Sequence, residues 1–297
     1  MPNLKILTSP DWEDYELLDS GDHLKLEKYG PYLFVRPEPQ AVWQPTFEDI
    51  HWQSAHARFQ PSREESGGSW KYIKPMNKSW EMRYKSLRFL AQTTAGRHFG
   101  VFPEQAAHWD WISERIKSAK RTIRVLNLFG YTGLASLAAA EAGANITHVD
   151  ASKKAVAWAR HNQSLSKLED RPIRWIIEDA LKFTQREARR QSLYDGLILD
   201  PPKFGRGPKG EVWEFFKFFP QLMQACHQVL APNPLFIVIT SYAVRASALT
   251  LYYLLHDITK SFGGNLEAGE LALVERSQGR QISTAIFARW WDNSYTS

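Results

Sequence analysis

Short apolar runs alternate with helical patterns from about residue 104 onward, and this alternation restricts the fold more than any other feature of the sequence. The runs typical of strands lie at 124–129, 146–150, 175–178, 197–200 and 235–240. The helical patterns between them lie at 134–142, 152–168 and 211–230. Repeated strand–helix units need right-handed crossovers, and these produce a parallel sheet covered on both faces. The sequence therefore predicts an α/β fold with a doubly wound sheet.

Both ends of the chain have a different pattern. Apolar runs at 271–274 and 284–288 flank a turn at 278–280, and together they predict a C-terminal antiparallel hairpin. Turn formers at 20–22 and 29–31 separate short mixed segments near the start, where we also expect hairpins. Strands joined by tight turns are therefore expected at both ends.

The region before the alternating pattern predicts a separate, smaller domain. Residues 44–69 have no clear period and predict a linker or a long loop. The turn formers at 74–78 predict a further hairpin, because apolar residues occupy every second position of the segment 80–84 that follows. We expect a β-rich N-terminal region at 1–100, with its linker near 44–69, and a main domain at 101–297.

Basic residues are concentrated in one short segment, although the net charge of the chain is only +5. The segment 70–90 contains one acidic residue, Glu81, and the basic residues Lys71, Lys74, Lys78, Arg83, Lys85 and Arg88. Such a block is typical of proteins that bind an anionic partner such as RNA. A solvated strand face has the same composition, so both interpretations stay open.

The composition predicts a cytoplasmic protein without a membrane segment. Hydrophobic residues make up 43% of the chain, but no apolar run approaches the ~20 residues that span a bilayer. The first residues lack the apolar stretch of a secretory signal, and the single cysteine, Cys226, cannot form an internal disulfide. The nine histidines show no metal-ligand spacing, so no metal is expected.

A glycine-containing segment at 127–133 lies where a predicted strand ends and a helix begins. In doubly wound sheets ligands bind at the carboxyl ends of strands, and glycine allows close approach of the backbone. Asp150 ends the next strand, where a carboxylate can accept hydrogen bonds from ribose hydroxyls. The order of strand, turn, helix, strand and acid predicts a nucleotide site that includes Asn127, Gly130, Tyr131, Thr132 and Gly133.

The glycine spacing favours S-adenosylmethionine over a dinucleotide. A dinucleotide fingerprint needs an earlier glycine, and Leu128 occupies that position. S-adenosylmethionine has no phosphate, so its pocket needs only a glycine turn, an acid for the ribose and polar groups for adenine. Asp179 and Ala180, after the third strand, are candidates for the adenine contact. A simple helix cap at Asp179 is the alternative.

A second motif, Asp200-Pro201-Pro202-Lys203, follows the apolar strand 197–199. Two consecutive prolines fix the backbone and remove two N–H donors. We expect the loop to be rigid, with its carbonyl groups pointing outward. Such a loop can present the group that accepts a methyl from the cofactor.

These motifs together resemble those of the class I S-adenosylmethionine-dependent methyltransferases, in particular the bacterial large-subunit ribosomal RNA methyltransferase group. The resemblance covers roughly 95–290, and the segment 99–105 looks like that group's entrance to the cofactor pocket. It implies a Rossmann-like, seven-stranded methyltransferase sheet. It also implies cofactor contacts at Gln105, Gly130, Thr132, Gly133, Asp150 and Asp179, and a catalytic loop at Asp200, Pro201, Pro202 and Lys203.

The expected acceptor is a nitrogen atom of an RNA base. Methylation of cytosine at C5 needs a cysteine nucleophile, but Ser241 stands where the family's nucleophile would fall. Cys226 shares a helical face with apolar residues and is expected in the core. Nitrogen has its own lone pair, and we expect Phe204 or Tyr242 to stack on the base. Phosphate contacts are expected from the cationic residues of this loop, Lys203, Arg206 and Lys209.

Two alternatives stay open at this point. The acceptor of the methyl group can be a protein side chain or a small metabolite instead of RNA. The chain can also be a catalytically silent nucleotide-binding module. Failure to bind S-adenosylmethionine would exclude both enzyme hypotheses.

Overall fold

The computed structural model describes residues 2–10, 12–62 and 67–293. The chain forms two compact units. The first contains Met1–Leu7, Ala107–Leu271 and Thr284–Ser297, and the second contains Thr8–Ala106 and Ala272–Ser283. The break after residue 106 lies near the expected boundary at 100, but the segments 1–7 and 272–283 each belong to the opposite unit from the one expected.

Strands dominate the first hundred residues, and strands alternate with helices after them. The strands are β1 (Leu4–Thr8), β2 (Tyr15–Gly21), β3 (Leu24–Tyr29), β4 (Tyr32–Pro37), β5 (Ala57–Pro61), β6 (Gly68–Tyr72), β7 (Ser79–Tyr84), β8 (Leu87–Gln92), β9 (Arg124–Leu128), β10 (Asn145–Asp150), β11 (Ile173–Ile177), β12 (Gly196–Leu199), β13 (Phe204–Arg206), β14 (Val212–Glu214), β15 (Phe236–Ser241), β16 (Asn265–Val274) and β17 (Gln281–Trp291). The helices are α1 (Asp49–Gln53), α2 (Ala106–Ser118), α3 (Leu134–Glu141), α4 (Lys153–Leu165), α5 (Ala180–Arg189), α6 (Phe215–Gln228) and α7 (Ala248–Thr259), with a 3-10 helix at Pro103–Gln105.

The first unit is built on an eight-stranded sheet in the order β1-β16-β17-β15-β12-β9-β10-β11. The strands from β15 to β11 pair in parallel, and β17 runs antiparallel to β15. The α/β, doubly wound prediction is confirmed. The predicted count of seven strands was one too low, because β1 adds an edge strand next to β16.

Helices cover both faces of this sheet, and for that reason the central strands are mainly apolar. Every residue of β12 and β15 is buried. One hydrophobic cluster joins Phe183, Phe219 and Leu251 from α5, α6 and α7 to the sheet. Another joins Ile112 and Ala139, from α2 and α3, to the opposite face. Strands buried on both faces are expected to be mainly hydrophobic, as β12 and the first four residues of β15 are.

The second unit is rich in strands, with a five-stranded sheet β2-β3-β4-β5-β6 and the hairpin β7-β8. The hairpins predicted at 20–22 and 29–31 are present, because β2, β3 and β4 pair antiparallel. The aromatic rings of Phe34, Trp80 and Phe99 meet in its interior, with centroids 4.3–5.7 Å apart. This core explains why aromatic residues alternate with polar ones in its strands.

Two predictions for the second unit were wrong. The segment 44–69 is not a linker, because its described part contains α1, β5 and the start of β6, while residues 63–66 lie outside the described residues. The hairpin formed by β7 turns at Lys85 and Ser86 instead of 74–78. Lys85 adopts a positive φ of 52°, which replaces the glycine expected in such a turn.

Candidate active site

The predicted functional loops follow the carboxyl ends of three neighbouring strands. β9 lies between β10 and β12, with Leu128 opposite both Val149 and Leu199. The glycine loop (Phe129–Gly133) follows β9, Asp150 ends β10, and the acceptor loop (Asp200–Lys203) follows β12. This is the edge at which open α/β sheets bind ligands.

The glycine loop has a backbone that few side chains adopt. Phe129, Tyr131 and Gly133 have positive φ angles of 57°, 48° and 87°. The amide of Gly130 donates to the carbonyl of Val149 at 3.1 Å, and the amide of Gly133 donates to the carbonyl of Gly130 at 3.0 Å. Sparsely populated backbone conformations in non-glycine residues cluster at ligand sites.

A buried histidine that the sequence interpretation missed lies beneath this loop. A Cβ atom on Gly130 would lie 2.4 Å from Cε1 of His148. His148 is fully buried, and burial lowers its pKa to about 3, so the ring is neutral. In the sequence, only its position two residues before Asp150, and so on the same face of β10, could have pointed to His148.

The side chain of Asn127 helps to support the glycine loop. Its amide nitrogen Nδ2 donates to Oγ of Ser136 at 2.8 Å, and that hydroxyl lies 3.0 Å from Nδ1 of His148. All three side chains are buried. Thr132 is also buried, and its carbonyl accepts from Nδ2 of Asn162 at 2.9 Å.

Asp150 is fixed by the backbone on both sides. Oδ2 accepts from the amide of Tyr131 at 2.9 Å, and Oδ1 accepts from the amide of Ser152 at 2.8 Å. Burial raises the pKa of Asp150, and these two hydrogen bonds oppose the rise. Each carboxylate oxygen has a second lone pair, so Asp150 can accept further hydrogen bonds.

Asp179 caps α5, as the alternative interpretation expected. Its Oδ1 accepts from the amide of Lys182 at 2.9 Å, and Ala180 beside it is buried. Gln105 ends the 3-10 helix Pro103–Gln105, which belongs to the second compact unit.

The acceptor loop is held by hydrogen bonds to three successive carbonyl groups. The Pro201 carbonyl accepts from Oγ of Ser241 at 3.4 Å, and that of Pro202 accepts from Nε1 of Trp213 at 2.7 Å. The Lys203 carbonyl accepts from the amide of Phe215 at 3.1 Å. The expectation that these carbonyl groups point outward was therefore wrong.

The two aromatic candidates for stacking differ in exposure. Phe204 is 59% exposed and begins β13 directly after the acceptor loop. Tyr242 is partly buried and packs against Leu271 and Phe287. Phe204 is therefore the one with a ring available to a substrate.

Cys226 packs within the main hydrophobic cluster, and burial raises the pKa of its thiol. Ser241 is also buried, with its hydroxyl directed to the acceptor loop. Among the described residues, no group of three or more His, Cys, Asp or Glu side chains could hold a metal ion. None of the helices within the described ranges has the length and hydropathy needed to cross a bilayer.

A family model for S-adenosylmethionine-dependent methyltransferases matches residues 40–261. The chain belongs to this family. S-adenosylmethionine is the methyltransferase's cofactor, as the glycine spacing predicted.

Known proteins agree with this assignment. The methyltransferase is 47% identical to the crystal structure of the SAM dependent methyltransferase from Agrobacterium tumefaciens, with a TM-score of 0.93 over 97% of this chain and 93% of that one. It is 35% identical over 145 residues to ribosomal RNA large subunit methyltransferase K/L of Hahella chejuensis, covering 48% of this chain. It is 30% identical over 127 residues to ribosomal RNA large subunit methyltransferase I of Tolumonas auensis, covering 42%. The matches span only 19% and 32% of those two relatives.

Proposed function

We propose that this methyltransferase is a cytoplasmic enzyme that methylates a nitrogen of an RNA base, in ribosomal RNA. The proposal rests on the surroundings of Cys226 and of Ser241. The chain has one cysteine, and Cys226 is fully buried with a raised pKa. Ser241, where a nucleophile would be needed, donates its hydroxyl to Pro201. A carbon acceptor needs covalent activation by a nucleophile, whereas a nitrogen acceptor does not.

The residues around the glycine loop fit the cofactor. We place its ribose at Asp150, whose carboxylate is oriented by the amides of Tyr131 and Ser152. Gly130, Thr132 and Gly133 would hold the amino-acid portion, because glycine lets the backbone be approached closely. Asn127 contributes through its bond to Ser136, and Asp179 and Ala180 complete the cofactor set of the first unit. A cofactor contact from Gln105 stays a prediction.

The cofactor supplies an electrophilic methyl group, and the protein's part is to hold the acceptor nitrogen in line with it. We assign this task to the acceptor loop. Asp200 offers oxygen atoms that can accept a hydrogen bond from an N–H of the base. Pro201, Pro202 and Lys203 keep the loop rigid, since their three carbonyl groups are bonded to the surrounding structure.

The surface beside the acceptor loop suits an unpaired nucleotide. Phe204 can stack on a base, because every base has a π-face and stacking tolerates any sequence. The exposed Lys203, Arg206 and Lys209 can contact phosphate groups. Tyr242, which is partly buried after the end of β15, is the second candidate for stacking on the base.

The basic block of the second unit is a further candidate for RNA contact. Its six cationic residues are all exposed. Arg83 and Arg88 lie opposite each other on the hairpin β7-β8, so two positive charges are presented together. Glu13 and Asp14 lie 2.9 and 3.7 Å from the Arg83 guanidinium and balance part of this charge. The block 70–90 as a whole, with six basic residues and only Glu81 as an acid, keeps a net positive charge, which favours contact with RNA phosphates.

The test uses RNA from cells that lack this protein. Purified enzyme and S-adenosylmethionine with an isotope-labelled methyl group are added, and the RNA is digested to nucleosides for mass spectrometry. We expect the label on a ring or exocyclic nitrogen. Label on cytosine C5, or transfer only to protein or metabolites, would contradict the proposal.

Two variants sharpen the assignment of the acceptor site. Phe204→Leu should raise the KM for RNA by about tenfold, because stacking contributes about 1–3 kcal/mol per base. Tyr253→Leu is the matched control, since Tyr253 is 56% exposed on α7, away from the acceptor loop in sequence. Cys226→Ser should leave kcat nearly unchanged. A folded, cofactor-binding but inactive Cys226→Ser variant would instead favour covalent chemistry.

A further inference from the structure

We infer that Trp213 is a positioning residue that couples the glycine loop to the acceptor loop. The inference rests on the proposed placement of methyl transfer at the acceptor loop. Trp213 lies on β14 and is buried. Its nitrogen Nε1 donates to the Pro202 carbonyl at 2.7 Å, and its ring centroid lies 4.9 Å from that of Phe129. One side chain therefore contacts both loops.

The acceptor loop depends on donors from elsewhere in the chain. Pro201 and Pro202 have no amide hydrogen, so the loop cannot be fixed there through its own N–H groups. The bond from Ser241 to Pro201 is long, at 3.4 Å, whereas the bond from Trp213 to Pro202 is short, at 2.7 Å. Trp213 is therefore the side chain that contributes most to the position of Pro202.

The glycine loop depends on Trp213 through packing. Phe129 is the first residue of this loop, and its φ of 57° is unfavourable for a bulky residue. Such a conformation persists only where surrounding groups enforce it. The indole ring packs against the Phe129 ring and can hold the backbone of Phe129 in this conformation. A movement of Trp213 would therefore shift the glycine loop at the cofactor site.

The hairpin β13-β14 that carries Trp213 is itself anchored. Nζ of Lys182, on α5, lies 2.8 Å from Oε1 of Glu211. Oε2 of Glu211 accepts from the amide of Lys209 at 2.8 Å. The tip of the hairpin is thus tied to the rest of the first unit, and Trp213 projects from a fixed support.

The hydrogen bond and the ring contact can be separated by mutation. Trp213→Phe keeps an aromatic ring against Phe129 but removes the donor to Pro202. We expect kcat for methyl transfer to fall about tenfold or more, since misplacement of reacting groups by ~1 Å can cost 100-fold. The Kd for S-adenosylmethionine should change by less than about twofold. Trp213→Leu also removes the ring, so the Kd should rise about fivefold or more.

A matched control removes an equivalent hydrogen bond far from the loops in sequence. Nε1 of Trp290, also a buried side chain, donates to the carbonyl of Gly263 at 2.7 Å. Trp290→Phe should lower thermal stability about as much as Trp213→Phe, while kcat and Kd stay unchanged. Equal loss of kcat in both variants would show that Trp213 acts only through stability and would overturn the inference.

A readout that needs no substrate separates this inference from the proposed function. Trp213→Phe should speed amide hydrogen exchange across 203–207, and Trp290→Phe should not. If wild-type enzyme methylates no RNA, the proposed function fails, but the exchange and Kd measurements still test the coupling. Unchanged exchange across 203–207 in Trp213→Phe would contradict it.

Discussion

The glycine loop and the acceptor loop leave adjacent strands of one sheet, yet different forces hold them. The glycine loop is held by hydrogen bonds and also by close packing, because Gly130 lies against a buried histidine ring and Gly133 against Ala159. The acceptor loop is fixed mainly by donors to its carbonyl groups. Steric support leaves a mark in the local sequence, since only glycine fits. Support by distant donors leaves none.

The largest effect is predicted for a substitution that disrupts the packing of the glycine loop. Gly130→Ala would place a Cβ atom 2.4 Å from Cε1 of His148. Overpacking a buried site typically costs about 1–3 kcal/mol, and the loop must move to relieve this clash, so we expect affinity for S-adenosylmethionine to fall by about 5- to 150-fold. Isothermal titration calorimetry measures the change.

A double variant tests whether His148 causes this effect. In a His148→Ala background the added methyl group meets an empty space, so Gly130→Ala should cost far less there than in the wild type. Equal costs in the two backgrounds would show that the ring of His148 is not the obstacle. Both backgrounds need a check of folding by circular dichroism.

Removal of the acid at the end of β10 should have the next largest effect. Asp150→Ala deletes the proposed ribose acceptor together with its bonds to Tyr131 and Ser152. We expect affinity for S-adenosylmethionine to fall by about 1–3 kcal/mol. Unchanged affinity in calorimetry would remove Asp150 from the cofactor site.

The groups that support the two loops should also differ in how they make the free energy of unfolding depend on pH. The support of the glycine loop contains His148, whose pKa is lowered to about 3, whereas the indole and hydroxyl donors to the acceptor loop do not titrate near neutrality. An unfolded histidine binds a proton near pH 6.5, so the free energy of unfolding should fall as the pH drops below 6.5.

His148→Asn should reduce this acid sensitivity by about 1 kcal/mol between pH 7.5 and 5.5. Urea denaturation at the two pH values measures it. His108, which is also buried with a pKa of about 3, leaves a similar contribution in the variant. An identical pH dependence in wild type and variant would contradict the assignment to His148.

The smallest effect is expected at the glycine beside the acceptor loop. A Cβ atom on Gly205 would lie 3.5 Å from Cγ of Pro202 and 3.8 Å from Cβ of Trp213, which are ordinary contacts. Gly205→Ala should therefore change stability by no more than about 0.5 kcal/mol and leave kcat unchanged. A large loss of activity would mean that steric limits also fix the acceptor side.

The sequence predicted the large sheet because its signals are local. Each parallel strand contains a short apolar stretch, and Gly130, Asp150 and Asp200 lie at or just after strand ends. The core position of Cys226 followed from helical spacing and is confirmed. In these cases the structure is determined by interactions among residues that are close together in the sequence.

Features that depend on distant residues were missed. The donor to Pro202 comes from Trp213, and the donor to Pro201 comes from Ser241. The region 44–69 lacks periodicity because α1 and β5 are short, and β5 pairs in parallel with β4 through only two residue pairs. No local pattern could identify these partners.

The position of β1 has a consequence for synthesis of the protein. This strand is made more than 250 residues before its neighbour in the sheet, β16. Long-range pairing of this kind forms slowly, because a large loop must close before the contact is gained. The pairing of β1 with β16 therefore cannot form until β16 has been synthesised, and until then this edge of the sheet is incomplete.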